Sequence, residues 1–573
     1  YRSASYHLEG MSLATAEQLS TDATYSDVRK TRNVYDALGR VVRREAPRFQ
    51  VGNASNDTLV WQTPVTTQMF DRWGNLTRLV DAAGKDQFFY YNKRNQLIRH
   101  DGINTPTATE HDVHGTYQFR RAYTFSGYDA DGNLAATVDP RGFINAAAYT
   151  GRGLMLAQYK ADRGQSFYEY DAFSRVERKI DGADAASASV NAAEKQWVEY
   201  QYDKSDQIIR QADRGGSERQ YRYDALGNRI SERTLIRSFE PINPVNVLDR
   251  TQRYATAHMI YDGMGRLTAE RNSSGITKWY AYNDRGDRIS TLDENGRSLT
   301  WAFNEYGWST SYWDLSGREF YYLSDKQGRI VEYASVLTDA NREKLIYSYD
   351  SAGQLRSVTD RGAIPGALQQ SSEYRYDIRG LRVQEKELLV ESGENGPVTR
   401  ALRNARMTYH DDGSLAHLRH DHDYGVVRNP GLDQYYYYDV AGNKKHVLTT
   451  YKDMFGRSKA DDSFFRYDAL NRVTVNEGQR PNTVIDIGNG KGVQLSYDSL
   501  GNRVAEVSLQ NNQLSVRSFE YGSRGELKVE RKDGVQQYRY EYDSAGRRTL
   551  QLDLTNNGGL SSYIHLSYND DGR

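Results

Sequence analysis

The densest cluster of ionisable side chains is YHDDGSLAHLRHDHDYG, residues 409–425. His410, His417, His420 and His422, with Asp411, Asp421 and Asp423, offer the nitrogen and oxygen ligands a divalent cation takes. On a strand, His420 and His422 would face one side. No HExxH or comparable spacing orders them, and a solvated hairpin loop accounts for the same residues. Three shorter stretches also invite chemistry. Arg285–Asp287 spells RGD, the tripeptide read by integrins, and DADGN at 129–133 resembles the opening of a calcium loop. The calcium pattern then lacks its remaining ligands and terminal Glu. GNGKG at 488–492 lacks the Lys-Ser/Thr ending and spacing of a phosphate loop. There is no Cys, which excludes disulfides, thiolate metal sites and cysteine nucleophiles. No Ser-His-Asp or paired-carboxylate arrangement stands out from the abundant aspartates. The expectation is a chain with no catalytic, metal or cofactor site, and not an enzyme.

RGD and DADGN are better understood as copies of one turn. YDALGR (35–40) returns as YDADGN (128–133), YDALGN (223–228), YDGMGR (261–266), YDALNR (467–472), YDSLGN (497–502) and YDSAGR (542–547). The residues this motif singles out are Tyr35, Asp36, Gly39; Tyr128, Asp129, Gly132; Tyr223, Asp224, Gly227; and Tyr261, Asp262, Gly265. Tyr349, Asp350, Gly353; Tyr497, Asp498, Gly501; and Tyr542, Asp543, Gly546 complete the set. Turns beginning at Tyr261, Tyr282, Phe303 and Ser324 follow one another at equal steps, and those at Tyr128, Tyr149 and Tyr170 keep the same step. Allowing degenerate copies, 22 are counted from Tyr35 to Tyr568. Between Tyr349 and Tyr521 the spacing stretches, so loops or strands are longer there.

One unit explains the period. YDGMGRLTAERNSSGITKWYAY, from Tyr261, contains a turn at Asp262–Gly265, a short strand, a second turn at NSSG (272–275) and another strand. Asp hydrogen-bonds its own backbone and Gly takes the positive φ that closes the loop. Gly39, Gly132, Gly227, Gly265, Gly501 and Gly546 are therefore expected at φ > 0. Tyr recurs at alternate positions before the turn, as in YEYD (168–171) and YRYD (221–224), which puts both rings on one face. Stacked unit on unit, Tyr168, Tyr170, Tyr221, Tyr223, Tyr540 and Tyr542 are expected to be part-buried in a tyrosine ladder. The fold expected is all-β: a long spiral of antiparallel hairpins forming the wall of a hollow shell or barrel. A flat sheet of some forty strands is excluded by strand twist. A propeller needs blades of four strands and fits the drifting period less well. No helix longer than about three turns is expected except within the Ala-rich 184–197.

Composition agrees. The hydrophobic set is 38%, but 45 of its members are Tyr, too few aliphatics for a thick core. The 75 basic and 76 acidic residues nearly cancel, leaving a net charge of −1 and no whole-chain field for nucleic acid. No apolar run approaches the ~20 residues of a membrane span. Residues 1–30 are expected as a lead-in and 31–573 as the repeat shell. The chain opens at YRSASYHLEG without Met and closes in another repeat turn, so a fragment of a longer array is expected.

The Tyr-Asp turn followed by Gly-Arg or Gly-Asn at a 21-residue period resembles the YD repeats of RHS-repeat proteins. These include the shell subunits of bacterial ABC (Tc) toxin complexes, polymorphic RHS toxins and the animal teneurins. The resemblance covers essentially everything from Tyr35 onward. It implies a secreted or cell-surface location and, in bacterial members, a cocoon enclosing a toxic polypeptide. The partners implied are that enclosed polypeptide or a second shell subunit. The teneurin-like alternative is a surface adhesion or carbohydrate-binding protein. The self-cleaving aspartates of bacterial members match no position here. Forty-odd strands at ~4.8 Å spacing close a shell of radius near ~20 Å, so a full cargo needs more wall than this chain supplies.

Overall fold

The computed structural model describes residues 4–7, 31–107, 118–182, 196–237, 240–241, 248–249, 252–338, 341–360, 369–393, 396–423, 428–453, 455–480, 485–522, 524–555, 559–566 and 568. Among them there is no helix. Residues 183–195, most of the Ala-rich stretch, lie outside the described set; Gln196 and Trp197 open the strand Gln196–Tyr202. The chain is all-β, and 44 of its strands belong to one hydrogen-bonded sheet.

The unit read from the sequence is the unit found. Leu267–Arg271 pairs antiparallel with Thr277–Tyr282, which pairs with Arg288–Leu292, at registers Ala269↔Trp279 and Ala281↔Ser290. The register shifts by one residue between Ala281 and Tyr282. The same shift recurs at Tyr35, Tyr170, Tyr223, Tyr261, Tyr497 and Tyr542. The extra residue, Ile289 here, lies on the strand that leaves the motif turn, a β-bulge that increases the local twist. Where the period lengthens, the strands have grown: Arg382–Gly393 and Gly396–Tyr409 run 12 and 14 residues. Within the lead-in, Ala4–His7 pairs with Thr31–Tyr35 and extends the sheet by one strand.

The chain divides into two compact units, each assembled from separated segments. One comprises Tyr1–Ser126, Val138–Gly142 and Ala302–Ser463; the other comprises Gly127–Thr137, Phe143–Trp301 and Phe464–Arg573. In the first, the strands Val41–Glu45 and Val65–Phe70 pair directly. The chain between them leaves as a hairpin, Phe49–Asn53 with Asn56–Gln62, and its Val51 bridges to Tyr376 in a distant part of the sequence.

Buried hydrophobic side chains are few. Among the described residues eighteen are identified, and six of those are Ala. The largest cluster joins Phe464, Val475, Ile485 and Ile487, with Val507 packed against it, in the second unit. Two sheets packed face to face would instead bury a continuous layer ~10 Å thick. Most strands here have half-buried residues on both faces, as in Leu76–Val80 and Ser298–Phe303.

Candidate functional site: the repeat turns and their edges

Most of the motif turns close on an aspartate. In the first, the Asp36 N–H donates to the Arg40 carbonyl at 2.9 Å and the Gly39 N–H to the Asp36 carbonyl at 3.1 Å. The Asp36 Oδ1 accepts from the N–H groups of Leu38 and Arg40. Asp129, Asp224, Asp262, Asp350 and Asp498 repeat both side-chain bonds. Gly39, Gly132, Gly227, Gly265, Gly353, Gly501 and Gly546 have φ of +77°, +95°, +88°, +76°, +87°, +92° and +81°. The left-handed conformation is what makes Gly the residue of choice there. Asn471 replaces Gly in YDALNR and takes φ +63°, which Asn tolerates.

The Arg or Asn after the Gly has a role that sequence reading did not assign. Its side chain bonds the second carboxylate oxygen of its own turn: Arg40 to Asp36 at 2.7 Å, Arg266 to Asp262 at 2.7 Å, Asn133 to Asp129 at 2.9 Å. The guanidinium then reaches forward. Arg40, Arg175, Arg266 and Arg472 donate Nη1 to the carbonyls of Asp71, Asp203, Asn283 and Asp498, each in the next motif turn. The aspartates respond. Bonds from the Arg40 side chain hold Asp36 below the usual carboxylate range, and those from Asn133 and Asn228 do the same for Asp129 and Asp224.

The tyrosine reaches backward. Tyr170, Tyr223, Tyr282 and Tyr497 donate their hydroxyls to the carbonyls of Met155, Ile208, Leu267 and Val473, just after the preceding motif turn. Two of these rings carry the Arg of the preceding turn: Arg266 lies 4.9 Å from the Tyr282 centroid and Arg472 4.8 Å from that of Tyr497. Where the turn carries Arg, as at Arg266 and Arg472, adjacent motif turns are thus tied twice, by a phenol and by a guanidinium. Tyr168, Tyr170, Tyr221, Tyr223 and Tyr542 are half-buried and Tyr540 is buried. Among the described residues ring-on-ring stacking occurs in patches such as Tyr312–Phe320 at 4.6 Å and Phe320–Tyr333 at 6.0 Å. Elsewhere the ladder alternates phenol with guanidinium, an Arg lying over the Tyr ring. Tyr282→Phe removes one tie and keeps the ring. We expect a loss of about 1 kcal/mol, read as a lower thermal midpoint; an unchanged midpoint would show the bond to be idle.

The tempting motifs dissolve into this scheme. In RGD, Asn283 takes the place of the turn aspartate and donates Nδ2 to the Asp287 carboxylate at 2.9 Å, so that carboxylate closes a turn. The carboxylate of Asp129 is occupied by its own turn, and Asn489 of GNGKG donates to the Glu477 carbonyl at 2.8 Å. His410 bonds the Tyr436 carbonyl, and His417 bonds Asp433 at 2.8 Å while stacking on Tyr435. His420 and His422 face Ala405 and Arg403 on the paired strand, with a bulge between them on the other side. Among the described residues no three His, Asp or Glu converge on one point.

Two further features were not legible in the sequence. The Phe49–Gln62 hairpin places Asp57 among Lys386 at 3.2 Å, Arg406 at 3.4 Å and Arg375 at 3.7 Å, and Gln384 donates to it at 3.1 Å. The Gln384 bond leads the effects that hold Asp57 below the carboxylate range. Beside this lap lies a groove of about 680 Å³ walled by Trp61, Tyr349, Asp350 and Tyr374. Asp350 has Gln354 where the turns of Asp36, Asp129, Asp224, Asp262, Asp498 and Asp543 have Arg or Asn, and burial pushes its carboxyl up. A raised folded-state value means that ionised Asp350 costs stability above the ordinary carboxylate range. Asp350→Asn keeps the Oδ1 acceptor and should leave the midpoint at pH 7 unchanged or higher, whereas Asp262→Asn, losing its Arg266 pair, should lower it. Equal losses in the two variants would refute the distinction.

The repeats have relatives among known proteins. Residues 184–361 match the Teneurin YD-shell family. The chain is 24% identical over 527 residues to double-stranded DNA deaminase toxin A of Burkholderia cenocepacia (strain H111), covering 77% of this chain and 34% of that protein. Among solved structures, TcdB2-TccC3 without its hypervariable C-terminal region aligns over 95% of this chain and 35% of its own, at 11% identity and a TM-score of 0.42. The Photorhabdus luminescens Tc holotoxin pore aligns over 94% and 34%, at 12% identity and a TM-score of 0.39. The chain spans about a third of the length of these relatives. Its repeated Tyr-Asp-x-x-Gly-Arg/Asn turn, the antiparallel hairpins it closes and the match over residues 184–361 make this chain similar to proteins of the YD-shell family.

Proposed function

We propose that the chain is part of the wall of a secreted shell that encloses a toxic polypeptide until delivery. The observation that carries this reading is the scarcity of buried interior: a sheet of 44 strands with only eighteen buried hydrophobic residues among those described. A sheet with so little buried interior suits a boundary, with two faces for two surroundings. Mixed charge suits such a lining. A near-neutral polar surface holds a chain without gripping it, because no dense field of one sign attracts it. The similarity to a protein named as a toxin supports the bacterial setting. In this reading the repeats carry no chemistry of their own, and any enzymatic activity belongs to the enclosed polypeptide. No helix among the described residues is long and apolar enough to cross a membrane, and export rather than anchorage is the proposed route.

The test is electron cryomicroscopy of the intact protein, combined with protease protection. A polar-lined void containing density that resists protease until the wall is denatured is the expected outcome. Repeats packed face to face with no void would remove encapsulation, and the adhesion reading would replace it.

A further inference from the structure

The groove beside the Phe49–Gln62 hairpin has three features that the repeat scheme does not use. The first is a strand edge. Asn56–Gln62 pairs antiparallel with Phe49–Asn53, and from Leu59 to Gln62 no strand among the described residues pairs with its other side. The residues there are Leu, Val, Trp and Gln, with Val60 50% exposed and no charge to repel a neighbour. Proteins usually blunt such an edge with charge, proline or a cover. The second feature is a face. Registers Gln50↔Trp61 and Gly52↔Leu59 put Gln50, Leu59 and Trp61 on one side of the hairpin, and all three line the groove. A strand added beside Leu59–Gln62 would send every second side chain to that same side.

The third feature is a polar imbalance. The Asp350 carboxylate accepts from the N–H groups of Ala352 and Gln354, and no side chain among the described residues bonds it. Its ionised form costs the turn stability, a cost proteins accept where function needs the group. Of the other charges at the groove, Arg329 is paired with Asp325 and Arg375 with Asp57, while exposed Arg356 offsets exposed Glu373 in sign. Asp350 is left without a cation. Arg329 is short of an acceptor. Its Nη1 is buried and unbonded, whereas Arg40, Arg175, Arg266 and Arg472 place that nitrogen on the carbonyl of the next motif turn.

We propose that this groove is a peptide-binding site. An extended segment of a second polypeptide adds as a strand to Leu59–Gln62, offers a carbonyl to Arg329 and sets a lysine or arginine side chain against Asp350. Strand addition supplies affinity through the main chain, and the groove selects the side chains that alternate into it. A basic peptide carries both groups that the groove lacks, a main-chain carbonyl and a cation. The inference goes beyond the shell reading and needs no void.

The test uses fluorescein-labelled peptides and the whole chain, read by anisotropy. The probe alternates valine and lysine. One comparator alternates valine and glutamate, and another is the lysine peptide methylated on every backbone nitrogen. We expect saturable binding of the probe, and binding weaker by roughly tenfold or more for both comparators. The methylated peptide keeps the charge, so its loss reports strand pairing. Asp350→Asn keeps the turn and should weaken the probe by a similar factor. In the unmodified protein the probe should slow amide exchange at Leu59–Gln62, which covers the case of a variant that does not fold. No saturable binding, equal binding of a comparator, an affinity untouched by Asp350→Asn or unchanged exchange at Leu59–Gln62 would each overturn the proposal. Binding of chitotetraose with none of the peptide would overturn it in favour of a glycan.

Discussion

Phe49→Ala is expected to release the Phe49–Gln62 hairpin from the strands it laps, at a cost of about 3–5 kcal/mol. Phe49 is 1% exposed, among the most fully buried large side chains of the described residues, so its loss leaves a cavity. The rest of the hairpin cannot compensate. Val51 bridges to Tyr376, and Gly52 lies so close to the Arg375 Cβ that a Cβ of its own would approach within 2.9 Å. That fit depends on the hairpin keeping its place. Amide exchange should accelerate across 49–62 and at Tyr376–Gln384, with a lowered first thermal transition. Val60→Ala, at a half-exposed position of the same hairpin, should cost less than about 0.5 kcal/mol. Equal effects in the two variants would show that Phe49 is not the anchor.

Acid should unfold the repeats over a broad range beginning near pH ~4, where an unfolded aspartate takes up its proton. Bonds from Arg40, Asn133, Asn228 and Arg266 lead the effects that hold Asp36, Asp129, Asp224 and Asp262 below the usual range. Asp293 and Asp314, in second turns, are lowered by a backbone N–H bond from Arg297 and a side-chain bond from Ser316 respectively. The sign follows from linkage. A depressed folded-state value contributes stability that is present above the unfolded value and lost as pH falls through the folded one. Each turn is exposed and contributes little alone, but the same loss is repeated along the sheet. Circular dichroism between pH 7 and pH 2 should show no transition above pH ~5 and progressive loss below ~4. A protein unchanged at pH 2 would mean that the carboxylates do not hold the turns.

The sequence by itself determined the repeating unit. Asp and Gly at fixed spacing act within a single turn, and a bond from Asp262 to its own backbone forms whatever lies beyond. Tyrosine phase was legible for the same reason, since a period of two assigns a face without further information. The partners of those groups were not. That Tyr282 caps Leu267 and that Arg266 reaches Asn283 depends on two motif turns being brought side by side across an intervening hairpin. The tertiary structure alone decided the rest. Nothing in residues 46–64 announces that Asp57 meets Lys386 and Arg406, because contacts so distant along the chain leave no local pattern. The same holds for the turn edges. Leu226 and Leu500 occupy the same motif position, yet one is 74% exposed and the other half-buried. Local sequence sets the shape of a turn; only the course of the whole strip decides what that turn lies against.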